Sequence, residues 1–171
     1  MRIEKLSFVV CLCLLFGFNT AHAQKDEKSD VLLLGFELRG DDTVQSLQEH
    51  DAEVIETSNQ YLQETLNNDT SFEVIDTPES QALLAEARQK FNLERCNGCE
   101  FDLAEKVDAR YVVVPWVFRM SVLIQTLYIE VRDVKTQNTV LRVVRDYRGN
   151  TEKAWQRAID SAVLEINESY Q

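Results

Sequence analysis

The chain has 171 residues and a formal net charge of −11, because 29 acidic side chains outnumber 18 basic ones. This negative balance argues against non-specific nucleic-acid binding, which depends on basic surfaces that release counterions, and against docking on anionic lipid. With only two prolines and five glycines there is no room for a long flexible linker, so the length predicts one domain of ordinary size.

Residues 1–23 have the pattern of a secretory signal peptide. A basic start leads into an almost wholly apolar run over residues 6–18, and Ala21 and Ala23 supply the small side chains that precede a cleavage site. The apolar run, at about 13 residues, is shorter than the ~20 needed to span a bilayer. We therefore expect cleavage near Ala23-Gln24, a periplasmic or secreted product, and no stable membrane insertion.

The segment after the signal divides into a lead-in and a folded domain. Residues 24–30 are highly charged and are expected to be disordered. Residues 31–168 are predicted to form the single domain, which opens on a continuous apolar run typical of a strand buried on both faces. In chain order we predict a strand at 31–38, a helix at 46–67, a strand at 72–75, a helix from Thr77-Pro78, a short helix through 101–107, strands at 111–118, 122–134 and 139–147, and a last helix capped by Asn150 or Thr151.

The order of these elements, β-α-β-α-(α)-β-β-β-α, predicts an α/β (α+β) fold. Alternating strands and helices at the front favour parallel pairing, and the strand meander behind favours antiparallel pairing. We therefore expect a single mixed sheet of about five strands, with the helices packed mainly on one face. The strand at 111–118, apolar on both faces, is predicted to be central.

Three segments of the domain carry a resemblance to known proteins. They are the strand at 31–38 with its acidic turn, the run at 104–114, and the hairpin built on Val-Arg-Asp-Val at 131–134. In this order they resemble the compact α/β domain found at the N-terminus of TolB and in the curli secretion lipoprotein CsgG. That resemblance implies envelope binding or assembly work rather than catalysis.

A second set of motifs is more specific. The chain has a Cys-x-Gly-Cys-Glu turn at 96–100, the Val-Arg-Asp-Val strand end at 131–134, and an Arg-Gly-Asn-Thr helix start at 148–151 followed by Trp155. With this layout it is similar to an uncharacterised family of bacterial exported proteins, a group built on a domain of unknown function. The resemblance covers nearly all of 31–166 and implies an exported protein, linked to quinoprotein dehydrogenase systems.

Cys96 and Cys99 are the only cysteines left once the predicted signal, with Cys11 and Cys13, is removed. Three roles stay open for this pair. A structural disulfide would close a small loop and hold the turn before the short helix. A dithiol redox centre would gain from a helix start, although the acidic neighbours oppose thiolate formation. A metal site would need further ligands from carboxylates or a partner chain.

The sequence offers no catalytic constellation. His50 is the only histidine outside the predicted signal, and its helix position is typical of a solvated side chain. No glycine-rich phosphate loop is present, and the carboxylates are scattered over exposed helix positions rather than paired in an apolar setting. We therefore expect that the protein is not an enzyme and needs no cofactor or metal.

The best candidate for a functional surface is the sheet. Alternation over 122–134 predicts one buried and one exposed face, and exposed aromatic side chains beside arginine are typical of protein-binding patches. An alternative is that the aromatic pair on the central strand points into the core. The candidate partner-binding residues are Trp116, Phe118, Thr126, Tyr128, Glu130, Arg132 and Arg142.

These observations predict a non-enzymatic periplasmic or secreted module for binding or envelope assembly. It would contact a protein partner through an open sheet face or edge, with a structural Cys96–Cys99 disulfide, and a homodimer is one form it can take. The alternative is a thiol-disulfide or metal-handling accessory protein that uses the cysteine pair and serves a periplasmic dehydrogenase system. A third hypothesis is a sensor that binds a small molecule between sheet and helix.

Overall fold

The computed structural model describes residues 28–40, 47–91, 93, 96 and 98–170. The predicted signal peptide, its cleavage site and residues 24–27 of the lead-in lie outside the described residues. The elements are β1 (Ser29–Leu33), β2 (Glu37–Gly40), α1 (Gln48–Asp69), β3 (Phe72–Val74), α2 (Pro78–Lys90), α3 (Cys99–Glu105), β4 (Tyr111–Ser121), β5 (Ile124–Asp133), β6 (Asn138–Arg148) and α4 (Glu152–Ser169).

The strands form one mixed sheet in the order β3-β1-β4-β5-β6, and β2 also pairs with β4. The pairings among β1, β3 and β4 and between β2 and β4 are parallel. The pairings of β4 with β5 and of β5 with β6 are antiparallel. This arrangement confirms the predicted α/β (α+β) class, the parallel front half, the antiparallel meander and the central position of the strand that begins at Tyr111.

The prediction of a single strand at 31–38 was wrong, because this segment contributes to two separate strands, β1 and β2. Gly35 lies between β1 and β2 with φ of +82°, a left-handed conformation that glycine adopts without steric cost. The next backbone N–H, that of Phe36, donates to Asn59 Oδ1 at 2.7 Å instead of to a neighbouring strand. Among the described residues the sheet therefore has six strands, where about five were predicted.

The two faces of the sheet are covered unequally. Successive side chains of a strand point to opposite faces, so Val113 packs in the cluster beneath the long helices α1 and α4, whereas Val112 packs in the cluster beneath α2 and α3. The larger core, which contains the fully buried Trp155, lies on the side of α1 and α4. The expectation that the helices pack mainly on one face holds for the two long ones.

Two helix starts follow from local sequence. Thr77 accepts a hydrogen bond from the backbone N–H of Ser80, and the Ser80 hydroxyl accepts one from the N–H of Thr77, which completes a capping box at α2. Thr151 accepts a hydrogen bond from the N–H of Ala154 and caps α4. Both caps satisfy backbone donors that a helix end leaves unpaired, and both confirm the sequence prediction.

Candidate functional site

Cys96 and Cys99 are joined by a disulfide, with their Cα atoms 5.5 Å apart. Gly98 precedes α3 with φ of +104°, so the loop reverses into the helix through a conformation that a side chain would strain. The structure contains the pair in its oxidised form, which is the form that a structural disulfide requires. A metal-binding role would require the bond to be reduced first, whereas a redox pair can react from this oxidised form, by exchange with a thiolate.

Glu100 connects this loop to the sheet. Its buried carboxylate accepts a hydrogen bond from the backbone N–H of Gly98 at 3.1 Å, and its other oxygen lies 2.6 Å from an Arg132 guanidinium nitrogen on β5. A buried charge is tolerated when it is paired and hydrogen-bonded, and Glu100 meets both conditions. The disulfide loop is therefore held to the sheet by an ion pair as well as by apolar packing of α3.

The ion pair extends across two strands. Glu130, only 2% exposed, accepts from Arg132 Nε at 2.9 Å and from Arg142 Nε on β6 at 2.6 Å. The Arg142 side chain is itself mostly exposed. Four charges, alternating in sign, thus lead from the disulfide loop at α3 to the solvent-exposed surface of β6.

A row of stacked side chains lies next to these charges on the same face. Trp116 of β4 stacks on Tyr128 of β5, with ring centroids 5.0 Å apart and an angle of 3° between the planes. The guanidinium carbon of Arg39, on β2, lies 4.8 Å from the Trp116 ring centroid. An arginine over the face of a tryptophan is attracted by the negative ring face, so the row is held in place before any partner arrives.

We call the surface around this row the open face. Among the described residues, no helix packs on it, because the cluster beneath α2 and α3 reaches only as far as Trp116. Phe118 is 41% exposed there, so its side chain lies on the surface and not in the core. The residues of the open face are Arg39, Trp116, Phe118, Thr126, Tyr128, Arg142, Val144 and Asp146.

The structure therefore groups most of the predicted binding residues but not all. Glu130 and Arg132 were expected on the exposed face, yet Glu130 is buried and Arg132 is largely covered. Arg132 pairs with Glu100 of α3 and with Glu130, and these ion pairs hold both side chains beneath the helix. Sequence reasoning missed Arg39 and the role of Glu100. The break at Gly35 hid the strand that carries Arg39, and the partner of Glu100 lies 32 positions away.

A second polar cluster, also missed, lies on the opposite face beneath the N-terminal ends of α1 and α4. Arg119 of β4 is only 2% exposed and donates to both carboxylate oxygens of Asp51, at 2.8 and 2.5 Å. Asn150 donates to the same carboxylate at 2.8 Å and accepts from Gln125 at 3.2 Å. The sequence contained a signal for this cluster, because the polar residues Arg119 and Gln125 occupy strand positions that alternation assigns to the core.

The cluster sets the ionisation of Asp51. Burial alone would raise its pKa, but hydrogen bonds from Arg119 and Asn150, together with the charge of Arg119, outweigh burial and hold the pKa below its ordinary value. Asp51 is therefore ionised and paired at neutral pH. His50, beside it, remains an exposed helix residue whose Nε2 lies 2.7 Å from the carbonyl oxygen of Asn150.

The fold and its open face define a small mixed α/β domain, and solved structures with this fold are known. The chain is similar to the C-terminal domain of LpoB from Salmonella enterica, with a TM-score of 0.55 and 14% identity over 70% of this chain and 82% of that one. It is also similar to PelC from Paraburkholderia phytofirmans, with a TM-score of 0.51 and 12% identity over 82% and 90%. At such identities these likenesses show the fold alone.

The family of the chain follows from its sequence. A family model described as "Protein of unknown function (DUF2380)" matches residues 29–165, and the chain belongs to this family. TolB from Acinetobacter baumannii is similar at a TM-score of 0.46 and 10% identity, over 82% of this chain and 28% of that one. A search of curated proteins found no match. None of the described helices is both long enough and apolar enough to span a membrane.

Proposed function

We propose that this protein is a non-enzymatic, extracytoplasmic binding module that contacts a protein partner through the open face. The signal-peptide pattern of residues 1–23 supports the compartment. The stack of Arg39, Trp116 and Tyr128 is the observation that carries the proposal of binding. Tryptophan, tyrosine and arginine are the side chains that most often dominate binding energy, and an ordered row loses little conformational entropy when a partner docks.

The edge strand β6 supports one docking mode for the proposed partner, the addition of a strand to the sheet. Among the described strands, β6 pairs only with β5, so its other edge is available over 11 residues. An extended segment that adds to this edge would form main-chain hydrogen bonds with β6, and its side chains would reach the open face. Arg142, Arg145 and Arg148 all lie on β6. Pairing of two β6 strands would place like charges together, so an acidic segment of another protein fits better than a second copy.

The experiment is affinity capture of the mature protein from its own envelope fraction, followed by affinity measurement with the purified partner. Phe118→Glu places a charge on the open face. Leu164→Glu makes the same change at an exposed leucine of α4, 59% exposed and outside the open face. We expect Phe118→Glu to weaken binding at least tenfold and Leu164→Glu to leave it unchanged. Equal binding by both variants, or a complex that contains only this chain, would contradict the proposal.

A second candidate function rests on the disulfide loop. Ligand atoms of Cys96, Cys99 and Glu100 lie within 4.8 Å of one another, which is close enough for a shared metal ion once the disulfide is reduced. Two thiolates and a carboxylate suit zinc. The protein would then be a thiol-disulfide or metal-handling accessory, serving a periplasmic dehydrogenase system. Partners captured as mixed disulfides, and released by reductant, would favour this function over the binding module.

A further inference from the structure

A crevice lies at the carboxyl ends of the parallel strands β1 and β3. Helix α1, which comes after β1 and β2, packs on one face of the sheet, and α2, which follows β3, packs on the other, so the two helices lie on opposite sides of this point. In open α/β sheets, ligands bind where neighbouring strands send their helices to opposite faces. The crevice is open to solvent and has a volume of about 680 Å³, within the range of roughly 300–1,000 Å³ typical of small-molecule sites.

One wall of the crevice presents hydrogen-bond acceptors. The side-chain amides of Gln63 on α1 and Gln81 on α2 both donate to the Asp76 carboxylate, at 2.8 and 2.6 Å. Each bond uses one N–H of an NH₂ group, so each amide keeps one N–H and its carbonyl oxygen, which is an acceptor. The Gln60 amide likewise donates to Glu56 at 3.0 Å. The carbonyl oxygens of these amides and the carboxylates that they contact outnumber the remaining amide N–H groups, so this wall suits a ligand that brings its own N–H or O–H groups.

Charge narrows the class of ligand. The residues lining the crevice include three carboxylates, Glu56, Glu64 and Asp76, and one cationic side chain, Arg88. The amides of Gln63 and Gln81 hold the pKa of Asp76 below its ordinary value, so this carboxylate is charged at neutral pH. An ammonium group supplies both a positive charge and three donors, whereas a neutral hydroxyl supplies one donor and no charge.

The opposite end of the crevice carries donors. Arg88 Nη2 donates to the carbonyl oxygen of Leu34 at 2.7 Å and keeps its other N–H groups. Asn59 accepts from the N–H of Phe36 through Oδ1, which leaves its NH₂ group for a ligand. Gly35 lines this end, and a Cβ there would lie 3.0 Å from Arg88 Nη2. The absence of a side chain at Gly35 therefore leaves room for Arg88 to lie across the backbone.

We propose that this crevice binds a small aliphatic molecule with a primary ammonium group, which the acceptor wall around Asp76 holds. The site is separate from the open face and does not rest on the proposed function. Two kinds of molecule share this chemistry. A diamine would use the acceptor wall alone, whereas an amino acid would also place its carboxylate against Arg88 and Asn59 at the other end.

The test uses three probes of matched length: 1,4-diaminobutane, 4-aminobutanoate and 1,4-butanediol. Binding to the mature protein is measured by titration calorimetry in 150 mM salt. We expect the diol to bind at least tenfold more weakly than the better of the two amines. Tighter binding of 4-aminobutanoate would identify an amino-acid site, and tighter binding of the diamine would identify a polyamine site.

Substitutions test whether the amine binds in this crevice. Asp76→Asn is expected to weaken the amine about tenfold, the effect of losing one charge-assisted hydrogen bond. Asp133→Asn, at a carboxylate outside the crevice that accepts a hydrogen bond from the backbone N–H of Thr136, is the control for loss of an acidic charge and is expected to change nothing. Because Asp76 bridges two helices, Glu64→Gln provides a second variant that leaves the bridge intact. Equal binding of the diol, absence of amine binding, or an equal effect of Asp133→Asn would overturn the proposal.

Discussion

Among the residues that the structure describes, each buried charged side chain lies close to an opposite charge. Glu100, Arg132 and Glu130 join α3 to the sheet on one face, and Asp51 and Arg119 join α1 to β4 on the other. Removing one member of such a pair leaves an uncompensated buried charge, which costs more than the pair itself contributes. These residues therefore fix the positions of helices relative to the sheet, whatever their net contribution to stability.

Asp51 allows this argument to be tested by pH. Its folded pKa is lowered, so its ion pair stabilises the fold above the unfolded pKa of about 3.9 and is lost as pH falls through the folded value. We expect Asp51→Asn to lower the free energy of unfolding by about 3 kcal/mol at pH 7. Its loss of stability on acidification below about pH 5 should be shallower than that of the wild type. Urea denaturation at a series of pH values measures both effects.

A double variant serves as the control for this prediction. Asp51→Leu with Arg119→Met removes both charges, and we expect it to be less destabilised than Asp51→Asn because no buried guanidinium is left unpaired. If the double variant is the less stable of the two, the hydrogen bonds of Arg119 to Asp51 and Asn150 matter more than its charge.

At the scale of the elements, a structural feature can be predicted from the sequence when the residues that cause it lie close together in the chain. The helix start at Thr77-Pro78, the meander and the amphipathic α4 follow from residues within a few positions of one another, and each was predicted. The break at Gly35 was not, because it depends on Asn59 of α1, which provides the acceptor for Phe36. The open face was predicted from alternation along β5, whereas the burial of Glu130 depends on α3, a separate element.

The disulfide is expected to act on one element rather than on the whole fold. Closing a four-residue loop restricts the unfolded chain by on the order of 2 kcal/mol. We expect Cys96→Ser with Cys99→Ser to lower the free energy of unfolding by about that amount and to leave one cooperative transition. Because α3 begins at Cys99, its amide protons should exchange faster in the variant, and those of α4 should not.

Reduced wild-type protein is the matched control for the serine variant. It should show the same stability and the same faster exchange in α3. If the serine variant unfolds in two steps, or if α4 also exchanges faster, the loop supports more of the fold than α3 alone. If neither stability nor exchange changes, the ion pair of Glu100 with Arg132 is sufficient to hold α3.

At the scale of the whole molecule, charge is distributed unevenly. Helix α1 contains six acidic side chains and no lysine or arginine, while β6 at the edge of the sheet contains three arginines and one aspartate. The formal charge of −11 is therefore concentrated away from the edge where we propose that a partner binds. Negative charges crowded on one layer repel each other in the folded state more than in the extended chain.

This repulsion predicts how stability depends on salt. The screening length falls from about 30 Å at 0.01 M to about 8 Å at 0.15 M ionic strength, so repulsion across α1 weakens strongly over this range, while the buried pairs are screened much less. We expect the melting temperature at pH 7 to rise between these two salt concentrations, as measured by calorimetry. A fall instead would mean that exposed ion pairs, such as Arg145 with Glu165, stabilise the fold more than crowding of like charge destabilises it. Arg145→Gln distinguishes these causes, because it removes the exposed pair and leaves α1 unchanged.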